Sequence, residues 1–255
     1  MKKLGRPFLV STALVALLGA ANASAARAPR AVPLTVRVKG SGTIHLAGHS
    51  FACRVVCSRT FQIPRGKRIV VKASAATGWK LTMWSGACKG SAGSCSLRLN
   101  RRETAAVRFV PPGNHLNPYP IGTAVVTSDG WTVRVNSATL DAGSQVEAVN
   151  NQPPPPVGEQ YTLVNLTMTA PVGGGPFDLH DFLFFEQQMQ ANFQYAPDAC
   201  EPPPPDLGTV GLVTSGTSVT GNLCYEIATK DAATLMLTGF APTGTSPRPV
   251  WFALS

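Results

Sequence analysis

Along the first half of the chain, apolar residues alternate with polar or charged ones. Val36 and Val38 interleave with Arg37 and Lys39, and Ile69, Val71 and Ala73 with Lys72. Leu97 and Leu99 flank Arg98, and Val107 and Phe109 flank Arg108. Alternate side chains of an extended strand share a side, so each segment predicts a strand with one apolar and one basic face. Gly40-Ser41-Gly42, Pro64-Arg65-Gly66 and Gly90-Ser91-Ala92-Gly93 punctuate these segments as turns, which predicts a small antiparallel β module over residues 34–110. The second half carries further strand candidates at Trp131 to Val135, Tyr161 to Thr169, Phe182 to Phe185, Val219 to Ile227, Ala233 to Leu237 and Val250 to Leu254. Leu179 to Gln190 also admits a short helix, but the run Phe182-Leu183-Phe184-Phe185 suits a strand better.

Composition supports a mainly β fold. Gly (24) and Pro (22) are abundant among the 255 residues, which favours turns over helical bundles. About seven strands with irregular loops favour an immunoglobulin-like β-sandwich for residues 119–255. A hydrophobic fraction of 44% excludes a disordered chain, and the absence of a run of about 18 apolar residues predicts no transmembrane segment. Lys2, Lys3 and Arg6 followed by a short apolar stretch read as a signal peptide over residues 1–25, with cleavage after Ala25 in Ala23-Ser24-Ala25. Ala21-Asn22-Ala23 is a second candidate cleavage site. The expected location is therefore secreted, extracellular or at the cell envelope. In such an oxidising compartment six cysteines form a disulfide set, for which spacing alone leaves about 15 connectivities. Pairing within sequence clusters is simplest: Cys53 with Cys57, Cys88 with Cys95, and Cys200 with Cys224.

The net charge of +9 conceals two opposite halves. Residues 26–110 hold 16 Lys and Arg against the single acid Glu103, whereas residues 111–255 hold 12 acids against Arg134, Lys230 and Arg248. This shift supports a domain boundary in the Pro-, Gly- and Asn-rich linker 111–118.

Several motifs then follow in a recognisable order. They are Gly40-Ser41-Gly42-Thr43-Ile44, Cys53 and Cys57, the strand from Gly66 to Ala73, Gly78-Trp79, Trp84-Ser85-Gly86-Ala87-Cys88, Cys95-Ser96-Leu97 and Val107-Arg108-Phe109. Residues 34–110 thereby resemble one copy of the divergent internalin-type B-repeat, which implies a structural or adhesive module without catalytic residues. Within it, Trp84 reads as a core anchor and Gly86 as a tight turn before the disulfide. In the second half, Pro120-Ile121-Gly122, Trp131 to Val135, Gly158 to Thr167, Gly216 to Ile227 and Val250 to Leu254 are similar to the immunoprotective extracellular domain family. That resemblance implies an immunoglobulin-like fold rather than a chemistry. The proline runs 153–156 and 202–205 and the Cys200/Cys224 pair depart from the family pattern.

Candidate chemistry is sparse. His45, His49, Cys53 and Cys57 recur every four residues, but four such positions span about 18 Å of helix at ~1.5 Å per residue, too far for one metal ion. No metal or cofactor is expected. No Gly-x-Ser-x-Gly elbow is present. Asp178, Asp181 and Glu186 around His180 read as a solvated acidic loop, with a weak calcium site as the alternative. Pro153 to Pro156 and Pro202 to Pro205 read as stiff polyproline II surface segments.

The basic face is the strongest candidate. Arg37, Lys39, Lys72, Arg98 and Arg108 take outward strand positions, with Arg65, Lys67, Arg68, Arg101 and Arg102 in turns. Such a surface attracts polyanions, which outside the cell are anionic wall polymers, lipid headgroups, extracellular DNA or glycans. The aromatic interleaving needed to read nucleic-acid sequence is absent. Docking of the basic module on its acidic neighbour is the competing use of the charge. The expected function is non-catalytic binding or adhesion, with a structural spacer or surface antigen, or a secreted hydrolase, as alternatives.

Overall fold

The structure, a computed structural model, describes residues 30–179, 183–188, 194–197, 199–240 and 249–255. The expected signal peptide with Ala25, and Asp181 of the acidic loop, lie outside the described residues. The fold is mainly β.

In the first half the alternating segments form β1 (Ala31–Lys39), β2 (Gly42–Leu46), β3 (His49–Cys53), β4 (Val56–Pro64), β5 (Arg68–Ala75), β6 (Lys80–Gly86), β7 (Ser94–Arg98) and β8 (Glu103–Val110). They assemble into two four-stranded sheets, ordered β4-β1-β8-β6 and β3-β2-β5-β7. Leu34, Val36 and Val38 of β1, Ile44 and Leu46 of β2, Ile69 and Val71 of β5, and Val107 and Phe109 of β8 close on one core. The alternation thus reports correctly which side of each strand is inside.

One pairing departs from the antiparallel expectation. β1 is antiparallel to β4 but parallel to β8, in register from Leu34 opposite Glu103 to Lys39 opposite Arg108. Parallel neighbours require a long crossover, here the six intervening strands, and local alternation carries no information about so distant a partner.

Two glycines fix tight approaches. Gly40 has φ +100, and a Cβ there would lie 2.3 Å from the Phe109 carbonyl oxygen. Gly86 has φ +77, and a Cβ would lie 2.4 Å from the Thr104 carbonyl oxygen. Beside it Trp84 is buried, and its indole Nε1–H donates to the Ala92 carbonyl at 2.8 Å. The Cys88–Cys95 disulfide staples the same loop, and Cys53–Cys57 and Cys200–Cys224 form as expected.

The second half contains β9 (Ala124–Val126), β10 (Thr132–Thr139), α1 (Gly143–Asn150), β11 (Glu159–Thr169), β12 (Phe177–Asp178), β13 (Leu183–Gln188), β14 (Gln194–Tyr195), β15 (Leu212–Val213), β16 (Ser218–Ala228), β17 (Leu235–Phe240) and β18 (Val250–Ala253). Sheets β16-β11-β10-β9 and β14-β13-β17-β18 contribute to one core, against which the small pair β12-β15 packs Phe177 and Val213. Val133, Val135, Val164, Leu166, Met168, Tyr225 and Ile227 from the first sheet meet Leu235, Leu237 and Phe252 from the second in a separate core. Residues 183–188 take the strand form, not the helical alternative. β17 starts two residues later than Ala233 because Thr229–Thr234 forms a 3-10 turn.

Helix α1 was not anticipated. Its eight residues bury one apolar side chain, Val146, so no helical stripe marks it in the sequence. It packs with Ala142, Tyr161, Leu163 and the Cys200–Cys224 disulfide. Both proline runs are tied down rather than free. The Tyr161 hydroxyl donates to the Pro153 carbonyl at 2.9 Å, while Asn222 donates to the carbonyls of Pro203 through its side chain and Pro205 through its backbone, both at 2.8 Å. The second run bends at residues 203–205 to make these bonds and is not a continuous polyproline II rod.

The linker 111–118 is a structured connector. Asn117 Nδ2 donates to the carbonyl of Gly78 at 2.9 Å, and the His115 ring meets Trp251 edge-on at 6.0 Å. Tyr119 then joins β18 by backbone bonds with Trp251 and Ala253. Among the described residues, no helix is long and apolar enough to cross a membrane.

Candidate functional site

All fifteen Lys and Arg side chains of residues 30–110 are exposed, including Arg59, which stands opposite the buried Val36 on the core side of the edge strand β4. The structure divides the five outward strand cations between two surfaces. Arg37, Lys39 and Arg108 lie on the outer face of the β4-β1-β8-β6 sheet, and Lys72 and Arg98 on the outer face of the β3-β2-β5-β7 sheet.

On the first surface the register brings Val56, Lys39, Arg108 and Met83 into one row across four strands. Ser58, Arg37, Ala106 and Ser85 form the next row. Thr60, Thr35 and Thr104 follow, with the Thr35 and Thr60 hydroxyls 3.0 Å apart. On the second surface Arg68 is directly opposite Arg98, and Lys72 lies between Ser94 and His45. Arg98 Nε also donates to the Gly66 carbonyl at 3.1 Å.

Directly opposed like charges destabilise a sheet. Here Lys39 faces Arg108 on one sheet and Arg68 faces Arg98 on the other, and neither pair has a carboxylate partner among the described residues. Among the described residues the one ion pair is Arg101 with Glu103, at 2.9 Å, and it uses the only acid of the module. No described ion pair joins the basic module to the acidic half. Arg59 is the exception among the cations in having an aromatic partner, its guanidinium carbon lying 5.8 Å from the Phe51 ring centre and 5.9 Å from that of Phe61.

The evenly spaced His and Cys residues do not converge. His45 and His49 flank the two-residue turn Ala47-Gly48 of the β2–β3 hairpin, where both turn residues have positive φ. His45 is opposite Ser50 and His49 opposite Leu46, which puts the two imidazoles on opposite sides of the hairpin. Cys53 and Cys57 are bonded to each other. Residues of the hairpin tip, His45 and His49 among them, line a depression together with Val70 and Lys72, but neither cysteine reaches it.

Of the acidic loop, Asp178 lies in β12 and Glu186 in β13, strands of different sheets, while His180 and Asp181 lie outside the described residues. A carboxyl pair forms elsewhere, at Glu159 and Glu226 on adjacent strands β11 and β16. A hydrogen bond that the protonated Glu226 carboxyl donates to the Glu159 side chain, then burial and the Glu159 charge, hold the Glu226 carboxyl above its ordinary value. Nearby, the Tyr195 hydroxyl donates to Asp231 at 2.8 Å, and burial followed by that bond raises its titration above the usual phenol value. Sequence reasoning missed this group because its members are spread from residue 159 to 231 and only strand pairing unites them.

Comparison of the chain with protein-family models, curated proteins and solved structures finds no match.

Proposed function

We propose that this is an exported, non-catalytic binding protein whose N-terminal β module engages anionic polymers or surfaces outside the cell. One observation carries the reading: fifteen exposed Lys and Arg side chains on a module with a single acid, which is already paired. An array with so few internal counterions leaves its field available to an external polyanion. Three disulfides fit an oxidising compartment, and the leader-like residues 1–25 supply the export route. The resemblance of residues 34–110 to a B-repeat and of residues 119–255 to an immunoglobulin-like domain agrees with an adhesive role.

The test is retention of the chain from residue 26 on immobilised polyphosphate or heparin. Retention at about 50 mM salt and release as salt rises to about 0.5 M is the expected result, because screening shortens the range of the attraction. Flow-through at about 50 mM salt, where the Debye length exceeds 10 Å, overturns the reading.

A further inference from the structure

We propose that the outer face of the β4-β1-β8-β6 sheet docks on a lipid bilayer carrying anionic headgroups, an inference that rests on the polyanion reading above and narrows it. The row Val56, Lys39, Arg108, Met83 carries it. Its two central positions are adjacent cations, and its two ends are apolar side chains, 71% and 47% exposed. Val55, 73% exposed, extends the apolar end into the β3–β4 turn. A single exposed valine on a soluble surface needs no explanation. Three large apolar side chains flanking a pair of opposed cations do.

The apolar end is held in place. The Cys53–Cys57 disulfide closes the turn that bears Arg54, Val55 and Val56, and the Gly40 N–H donates to the Val55 carbonyl at 2.6 Å. The two valines are therefore presented to solvent by a covalently closed turn. With strands about 4.8 Å apart, the row is about 14 Å long and belongs to one sheet face.

A soluble polyanion satisfies half of this pattern. It would neutralise Lys39 and Arg108 and leave Val55, Val56 and Met83 in water. A bilayer interface satisfies all of it, with phosphates at the level of the cations and the acyl boundary just beneath for the apolar side chains. The long stems of Lys39 and Arg108 suit that geometry, since such side chains lie along apolar surface while the charged head stays in the headgroup layer. The opposite sheet provides an internal contrast: Arg68, Lys72 and Arg98 accompany one exposed large apolar residue, Val70.

Co-sedimentation of the chain from residue 26 with phosphatidylglycerol/phosphatidylcholine vesicles tests the inference, with phosphatidylcholine vesicles as the neutral comparison. The wild-type protein is expected to sediment with the anionic vesicles alone. The Val55→Ser/Val56→Ser/Met83→Ser variant is expected to bind them about tenfold more weakly or worse, with its retention on polyphosphate unchanged. Lys39→Glu/Arg108→Glu is expected to weaken both interactions. Equal vesicle binding by wild type and the triple serine variant overturns the inference. Retention of the wild type on polyphosphate without vesicle binding also overturns it and leaves the polyanion reading standing, whereas failure on both supports overturns the two together. Circular dichroism of each variant separates loss of binding from loss of fold.

Discussion

Gly86 shows how a single backbone position holds the first module together. Its φ of +77 and the Thr104 carbonyl 2.4 Å from any added Cβ exclude a side chain on two independent grounds. The residue ends β6, beside the buried Trp84 and ahead of Cys88, so the turn positions both the indole and the disulfide. Gly86→Ala is expected to destabilise the protein by about 1–3 kcal/mol, the range for a non-glycine residue forced into this conformation. A urea-denaturation midpoint indistinguishable from wild type would contradict this. The same position was legible beforehand, because a glycine between a tryptophan and a cysteine in Trp84-Ser85-Gly86-Ala87-Cys88 already implied a tight turn. Asn222 was not legible: its bonds to Pro203 and Pro205 and to Asn165 depend on a loop returning to a strand that begins well downstream.

Among the elements, strands with strict alternation were the most readable. β1, β5 and β8 follow from their own residues because a half-buried strand writes its two faces into a period of two, whereas β11 and β16 are buried on both faces over residues 160–164 and 223–225. Pairing partners were less readable, since β1 carries nothing that distinguishes a parallel β8 from an antiparallel one. This is also why the basic residues could be recognised as outward but not assigned to two separate sheets. The β11–β16 pair has a pH consequence. Glu226 is held above the ordinary carboxyl value of 4.5, foremost by its bond to Glu159, so the fold retains a proton that the unfolded chain has released. A raised carboxyl value favours the fold at low pH, and that contribution is lost as pH rises through the folded value. Glu226→Gln is accordingly expected to raise stability relative to wild type at about pH 8 and to flatten the decline that sets in as pH rises past the ordinary value of 4.5. Thermal unfolding at several pH values measures this, and a Gln variant less stable than wild type at about pH 8 would refute it.

At the scale of the whole molecule, the apolar core built from β1 to β8 shares no residue with the two apolar clusters of the second half. The connector touches both sides through Asn117 and His115 without merging the cores. Calorimetry is expected to resolve two transitions, with salt moving one of them upward as it screens repulsion among the fifteen exposed cations of the first module. A single transition insensitive to salt would show that the halves unfold together. The charge asymmetry was visible in the sequence, while the compact connector was not, because its proline- and glycine-rich composition resembles that of an open linker. The parallel pairing of β1 with β8 has a mechanical consequence as well. The chain enters the first module at the Ala31 end of β1 and leaves at the Val110 end of β8, which are opposite ends of two neighbouring parallel strands. A pull on the two ends therefore slides these strands past each other and loads the ladder from Leu34/Glu103 to Lys39/Arg108 all at once, instead of peeling it open bond by bond. For a protein anchored at one end and tugged at the other, that geometry makes the parallel first and last strands of the module a shear clamp.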